Sequence, residues 1–349
     1  MWGCIGILTG TLGSLACTPL SMRIHDGLQV AQGWKDAAEF CVSHAVQTIR
    51  DGCKAAQHFG TSYLLLDSYF LSVPALEKLA RQNAGNEHNV EIITKAKSSA
   101  VAYMASQPKP AGTRGRPRKK GVKVKLKNLF QERAGEFMRM KINLYGKKQD
   151  VRYYDAVLLW GQGLYREIRF ALVEYGNKRS ILACTDLAIS PLSIIHLYGC
   201  RFRIEYTFRA LKQEIGGFSY HFWTKAMGKL SHFKKKREAG PLEGVHQEHD
   251  RQRVLKTIRA KEMYALMSSI SIGILQTLSA ECTGDPCMEG MRYQRTKAKS
   301  RPSEANVMYI LQMHLFAFLE KHAKDEIPSL IRGLQIDIHG AKNKKRLSA

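Results

Sequence analysis

The hydrophobic positions in the first hundred residues form short runs and helical repeats, which predict strands alternating with helices. Apolar runs broken by Gly and Thr between Trp2 and Gly27 predict two adjacent strands that end near Ile24. The remaining elements predicted here are a helix over Asp36 to Phe59, a strand over Tyr63 to Leu66, a helix from the capping residue Ser72 through Leu79, and a strand over Val90 to Thr94. This order is typical of an α/β domain in which helices cover a sheet.

Between Lys95 and Arg179 the pattern changes to one rich in strands. The elements predicted from here on are strands over Val122 to Leu126, Phe137 to Tyr145, Val151 to Trp160, Ile168 to Glu174 and Ile181 to Cys184, a turn over Gly146 to Lys148, a helix from the cap Ser190 past Lys212, and helices over Arg251 to Leu278 and Glu304 to Lys324. The chain is therefore divided into the first part of an α/β core (1–96), a β-rich insertion with a basic loop (97–180), the end of the core (181–225) and a helical basic C-terminal region (226–349).

The charge balance indicates what kind of molecule the chain binds. The chain has 54 Lys and Arg against 30 Asp and Glu, a formal net charge of +24. Such an excess indicates a polyanion, with nucleic acid as the first candidate and an anionic membrane surface as the second. No run of about 18 apolar residues is unbroken and the apolar start lacks a basic segment, so neither a membrane span nor a signal peptide is predicted. The eight cysteines lack CxxC spacing and are typical of reduced thiols in a cytoplasmic protein.

One basic segment has the composition of a DNA-binding loop. Arg114, Arg116 and Arg118 alternate with Gly115 and Pro117, as in an AT-hook core that lies along the narrow minor groove of A·T-rich DNA. A solubilising basic loop with general phosphate affinity is the alternative interpretation.

Four side chains on the predicted helix after Ser190 form the strongest chemical pattern. Tyr198, Arg201, Glu205 and Lys212 fall within about 60° of one another at 3.6 residues per turn. A carboxylate between cations suits a metal–phosphate site, where the acid coordinates Mg²⁺ while the cations and the tyrosine hydroxyl bind phosphate oxygens. An exposed helix with ordinary charge pairs between successive turns is the alternative.

The same four residues, at the same spacing, match the Tyr-Arg-Glu-Lys signature of DDE-type insertion-sequence transposases. The stretch from Thr185 to Lys212 resembles the terminal catalytic segment of that family, and Leu65 to Phe70 is similar to its second-aspartate strand. The resemblance extends over nearly the whole chain, including the basic loop and the β-rich insertion.

This resemblance implies a ribonuclease-H-like core in which two aspartates and one glutamate hold two divalent ions, Mg²⁺ or Mn²⁺. Asp67 would be the second carboxylate and Glu205 the third, both catalytic and both metal ligands. Tyr198, Arg201 and Lys212 would contact phosphates of double-stranded DNA, at the terminal inverted repeats and at the target. The implied activity is DNA transposition by phosphodiester cleavage and strand transfer, in a nucleoid-associated complex that contains a homodimer.

The chain departs from the family at its start, because the first catalytic aspartate lies on a strand before the two predicted in Trp2 to Gly27. No acidic residue precedes Asp26. The chain is therefore expected to begin after the first catalytic strand, which leaves its activity as an enzyme open. Asp26 and Asp186 are the possible substitutes, although a turn suits Asp26 and a cap or turn suits Asp186. A non-catalytic DNA-binding remnant of the same fold is the alternative, and a metal-dependent nuclease without strand transfer is a third class.

Overall fold

The structure, a computed structural model, is a mixed α/β fold. It describes residues 2–11, 14–25, 29–34, 43–107, 116–144, 147–221, 224–227, 240, 242–282 and 302–321. Within these residues the strands form a two-stranded hairpin and a mixed sheet of eight strands, and helices cover both faces of the large sheet.

The hairpin consists of β1 (Trp2–Thr9) and β2 (Ala16–Ile24), paired antiparallel from Trp2 opposite Ile24 to Thr9 opposite Ala16. It packs on the long C-terminal helix rather than on the large sheet, and polar contacts fix this arrangement. The Thr18 hydroxyl donates to Gln276 Oε1 at 2.8 Å, and the backbone N–H of Ile24 donates to Glu262 Oε1 at 3.0 Å. The hairpin is thus held by a segment far away in the sequence.

The large sheet has the order β3-β4-β10-β9-β8-β5-β6, with β7 also paired to β8. Its strands are β3 (Ser62–Leu66), β4 (Val90–Ala96), β5 (Val101–Tyr103), β6 (Lys123–Lys125), β7 (Met138–Leu144), β8 (Lys147–Trp160), β9 (Arg166–Tyr175) and β10 (Lys178–Cys184). β3 and β4 are parallel, whereas the other pairs are antiparallel. The strands between residues 101 and 175 therefore extend the sheet of β3, β4 and β10.

The helices are α1 (Gln29–Gly33), α2 (His44–Ala56), α3 (Val73–Ala84), α4 (Leu129–Glu132), α5 (Pro191–Cys200), α6 (Arg203–Ala210), α7 (Glu248–Glu281) and α8 (Glu304–Lys321). By length and composition α7 could cross a membrane, and 44% of its apolar window is buried within the protein. A core helix passes the same test, so α7 is weak evidence for a membrane.

Alternation along the central strands divides the core into two layers. Ile92 packs with Ile49 of α2 and Leu76 of α3 on one face of the sheet, while Ile93 packs with Ile194 of α5 on the other. Successive strand residues point to opposite faces, so a sheet covered on both sides needs apolar residues at consecutive positions. This requirement explains why the predicted strands contain unbroken apolar runs.

Most of the predicted strands and helices are present in the structure, although several differ from the prediction at their ends. The predicted strand over Val122 to Leu126 contains only Lys123–Lys125, because Leu126 turns into a buried 3₁₀ turn. Lys147 and Lys148, predicted in a turn, pair with Leu144 and Asn143 and begin β8, while Gly146 lies outside the described residues. Ser72 stands at the N-cap of α3 without a side-chain capping bond, and α3 continues past Leu79 to Ala84.

Several predictions concern residues that the structure describes only partly. The predicted helix over Asp36 to Phe59 is described from His44, where Ser43 caps α2 by accepting from the backbone N–H of Val46. The described cysteines are all free thiols. They are Cys4, Cys17, Cys53, Cys184, Cys200 and Cys282. Arg114 and Asp26 lie outside the described residues.

Candidate functional site

Asp67 lies at the carboxyl end of β3, where the chain leaves the sheet. Its Oδ1 accepts from the backbone N–H of Ser68 at 2.7 Å and so caps the short turn Ser68–Phe70. Its backbone carbonyl accepts from the hydroxyl of Thr94, a fully buried residue of β4, at 2.7 Å. The backbone is thereby anchored to the sheet, while the residue itself is exposed to solvent.

Arg201 and Glu205 lie one turn apart where α5 meets α6. The Arg201 Nη2 donates to Glu205 Oε1 at 2.8 Å, and the guanidinium lies 6.0 Å from the centre of the Tyr198 ring. The Arg201 side chain is 19% exposed and that of Glu205 is 45% exposed. The Glu205 carboxylate therefore faces solvent, while burial and the Tyr198 ring hold its partner Arg201 in place.

Arg201 also connects this pair to the end of β3. Burial opposes the charge on Arg201, but the hydrogen bond that Arg201 donates to Glu205 and the nearby Tyr198 and Asp67 outweigh burial, and together they raise the pKa of the guanidinium. Asp67 and Glu205, which are distant in sequence, thus act on the same cation. Asp67 and Arg201 line the same cavity, and α5 packs against β3 and β4 beside it.

The helix that carries these residues is not continuous, contrary to the prediction of one helix from Ser190 past Lys212. The Ser190 cap is confirmed, since its Oγ accepts from the Ser193 backbone N–H at 3.0 Å. The α-helix, however, ends at Cys200, restarts at Arg203, and gives way to a π turn over Leu211–Ile215. Lys212 is exposed in this π turn. A π turn shifts the residues after it around the axis, so the stripe drawn on an ideal helix does not extend unchanged to Lys212.

An exposed aromatic and cationic patch lies next to Glu205, and the sequence analysis missed it. Phe202 and Tyr206 are 44% and 49% exposed and meet edge to face with ring centres 5.4 Å apart. The Arg209 guanidinium lies 5.3 Å from the Tyr206 ring. Rings and cations at successive helical turns are a surface on which nucleic-acid bases and phosphates both bind. The signal was visible as aromatic residues four apart followed by an arginine three residues later.

The basic loop is described from Arg116 onward, and Arg116 and Arg118 are exposed there. The Lys120 ammonium sits 4.1 Å from the centre of the Tyr103 ring and 4.9 Å from that of Tyr165. A hydrogen bond from Lys120 lowers the pKa of the Tyr165 hydroxyl. The second half of the loop is thus attached to β5, the strand next to the edge strand β6.

A groove connects the turn after Asp67 with this edge of the sheet. Its volume is about 330 Å³, and its walls include Ser68, Lys97, Tyr103 and Trp160. The groove places a lysine and two aromatic rings between the candidate carboxylate and the basic loop. No local sequence pattern predicts this groove, because β5 and β8 meet only through the pairing of Tyr103 with Leu159.

Asp186, one of the possible substitutes for the missing aspartate, has a turn role. Its Oδ1 accepts from the backbone N–H of Ala188 at 2.8 Å, and its Oδ2 accepts from the Tyr63 hydroxyl at 2.5 Å. The Tyr63 hydrogen bond is the main reason that the pKa of the Asp186 carboxyl is lowered. The expected cap or turn role is therefore confirmed for Asp186.

The carboxylates of Asp67 and Glu205 are the candidate ligands for a divalent metal. Within the described residues no group of three His, Cys, Asp or Glu side chains could hold a metal ion. Asp67 and Glu205 nevertheless offer carboxylate oxygens, and Mg²⁺ is commonly held by one or two carboxylates with water and substrate phosphates as the other ligands. Two carboxylates are enough ligands for one such ion shared with water and a phosphate, and too few for a closed site made by the protein alone.

Comparison with family models, with curated proteins and with solved structures finds no match to this chain.

Proposed function

We propose that this chain is a DNA transposase of the DDE type, with Asp67 and Glu205 as the carboxylates that bind a divalent metal at the scissile phosphate. The observation that carries the proposal is the shared cation: Arg201 bonds Glu205 at 2.8 Å and lines the same cavity as Asp67. Two acids from separate elements beside one arginine form an arrangement that can hold a metal and a phosphate together.

The topology supports a ribonuclease-H-like core as the scaffold. β3 and β4 are parallel and adjacent, β10 lies antiparallel to β4, and helices cover both faces of the sheet. In such a sheet Asp67 ends the edge strand and Glu205 approaches it from a helix. A carboxylate on a strand end is set by backbone pairing, so its position is more rigid than a loop would allow.

The residues around the carboxylates supply the binding of DNA. Arg201 is the phosphate ligand closest to both acids, and Lys212, Arg116 and Arg118 add exposed cations to a chain of net charge +24. Tyr198 supports the Arg201 guanidinium through its ring. When bound, Mg²⁺ supplies a Lewis acid for the phosphoryl oxygen and lowers the pKa of a coordinated water. Asp67 and Glu205 hold the ion, and the cations orient the phosphate.

A second function, a DNA-binding protein of this fold without metal chemistry, is favoured by one observation. Glu205 is engaged by Arg201, so an arginine already neutralises one of the two carboxylates. A protein that keeps the basic surface and this internal ion pair would bind DNA in the absence of divalent ions.

A nicking assay distinguishes the two functions. The full chain is incubated with supercoiled plasmid and Mg²⁺ or Mn²⁺, and nicked and joined products are separated on gels. Asp67→Asn and Glu205→Gln are expected to abolish nicking, while Glu132→Gln, an exposed acid on α4, keeps wild-type rates. Wild-type rates in Glu205→Gln would rule out its role as a metal ligand. DNA binding without nicking in either metal would favour the second function.

The binding surface is tested by fluorescence anisotropy of a labelled duplex over a range of salt concentrations. Lys212→Ala should lower the slope of log K against log salt by about 0.9, since each phosphate contact releases a counterion. Lys178→Ala is the matched control and should leave the slope unchanged, because it removes an exposed lysine at the first residue of β10. Sedimentation with and without duplex tests the expected homodimer.

A further inference from the structure

A slot separates the hairpin from the edge of the large sheet. Its walls are β1, through consecutive residues from Trp2 to Leu8, and β3, through Ser62 to Leu66. Helix α2 covers one side with Gly52 and Ala55, and the α5–α6 segment covers the other with side chains that include Phe208. The enclosed volume is about 430 Å³. The slot is therefore an elongated apolar space between two strands.

Both walls present strand edges that have no partner within the part of the chain that the structure describes. Among the described strands, β1 pairs with β2 only, and β3 pairs with β4 only. The other edge of each strand carries alternating backbone N–H and C=O groups. Such groups cost free energy when they are shielded from water without hydrogen bonds, so an apolar slot between two open edges is a site with unmet bonding capacity.

Contacts around His44 fix the relative direction of the two walls. The His25 ring covers Gly3 at the start of β1 and lies 5.0 Å from the His44 ring, which in turn lies 5.6 Å from Phe70 beyond the end of β3. β1 thus begins where β3 ends, and the two strands run in opposite directions. A strand placed between them is parallel to one wall and antiparallel to the other whichever way it enters, and both kinds of pairing form regular ladders.

We propose that the slot binds one extended strand from another polypeptide, which joins the hairpin to the large sheet. Neighbouring strands lie about 4.8 Å apart, so one inserted strand bridges two walls about 10 Å apart, and five residues at about 3.3 Å each match the length of β3. Because α2 closes one side and α5–α6 the other, the inserted strand is apolar on both of its faces. This inference does not depend on the proposed transposase activity.

A polypeptide fits the slot better than a lipid chain does. An acyl chain would fill the apolar volume, but it would leave the edge groups of β1 and β3 without hydrogen bonds. An extended backbone supplies donors and acceptors on both of its sides, which is the chemistry of strand addition to a sheet.

The probe is a synthetic peptide, acetyl-Lys-Val-Ile-Val-Leu-Val-Lys-amide, labelled for fluorescence anisotropy and titrated with the full chain. Binding is expected to saturate and to raise the melting temperature with increasing peptide concentration. The control peptide has the same sequence with alternate backbone nitrogens methylated, so that one of its edges cannot donate. It should bind at least tenfold more weakly.

Two variants locate the binding. Ala55→Trp places a large side chain in the slot and should weaken peptide binding at least tenfold, whereas Ala84→Trp, at an exposed alanine at the end of α3, should not change it. Equal binding of the methylated and unmethylated peptides would overturn the proposal, as would displacement of the peptide by palmitate or the absence of any binding. The methylated peptide keeps the test decisive if Ala55→Trp does not fold.

Discussion

Replacing Arg201 by Met should change metal binding and DNA cleavage in opposite directions. In the free protein the guanidinium holds Glu205 Oε1 at 2.8 Å, so a divalent cation must displace it to reach the carboxylate. Glu205 is 45% exposed, and an ion pair of this kind contributes about 0.2–1 kcal/mol. Removing the competitor should therefore tighten Mn²⁺ binding up to about fivefold. Cleavage should fall, because Arg201 is the proposed phosphate ligand nearest to both acids.

Isothermal titration with Mn²⁺ measures the first effect, and the plasmid nicking assay measures the second. Stability should decrease by less than about 1 kcal/mol in urea unfolding, since Asp67 and Glu205 are exposed enough to regain water. Weaker Mn²⁺ binding in Arg201→Met would refute the reasoning, because it would mean that the arginine does not compete for the carboxylate. Arg179→Met, which removes an exposed arginine at the far end of β10, is the control for loss of one positive charge.

Two further predictions concern buried and half-buried acids away from the site. Burial raises the pKa of the Asp51 carboxyl, but the His25 hydrogen bond at 3.0 Å and the nearby Arg23 and Arg50 outweigh burial and lower the pKa overall. The carboxylate therefore stabilises the fold fully above pH ~4, and this stabilisation is lost as the pH falls through the pKa of the folded state. Asp51→Asn should cost about 1–3 kcal/mol at pH 7 and flatten the acid limb of stability measured by urea unfolding. Tyr63→Phe removes the donor to Asp186 and should cost about 1–2 kcal/mol by the same measurement, and an unchanged value would show that the bond has no net effect.

Much of the element order follows from local patterns, whereas the sheet order does not. Ile92 and Ile93 are adjacent apolar residues because each faces a different helical layer, and this produces the unbroken run from which a strand is predicted. The position of the β1–β2 hairpin depends on bonds to Glu262 and Gln276 of α7, more than two hundred residues away. No periodicity within the hairpin carries that information.

The candidate site likewise combines contacts that local spacing predicts with contacts that it does not predict. Glu205 and Arg201 could be paired from their spacing, since residues four apart face each other on a helix. The approach of Asp67 depends on how α5 packs against β3, which spacing does not specify. Lys212 illustrates the limit of helix geometry, because the π turn that begins at Leu211 is a local insertion without a distinctive composition.

The charges at the site affect DNA binding and catalysis differently. Asp67 and Glu205 carry two negative charges beside one arginine, so their local sum is negative within a chain of net charge +24. A phosphate that approaches without a metal is repelled by these acids and attracted by the surrounding cations. The double variant Asp67→Asn, Glu205→Gln should therefore bind duplex DNA more tightly than wild type in EDTA, and the difference should shrink when Mg²⁺ is added to wild type. Fluorescence anisotropy at a fixed salt concentration measures duplex binding both in EDTA and in Mg²⁺. Weaker binding by the double variant in EDTA would place the phosphate away from these acids, and with it the proposed chemistry.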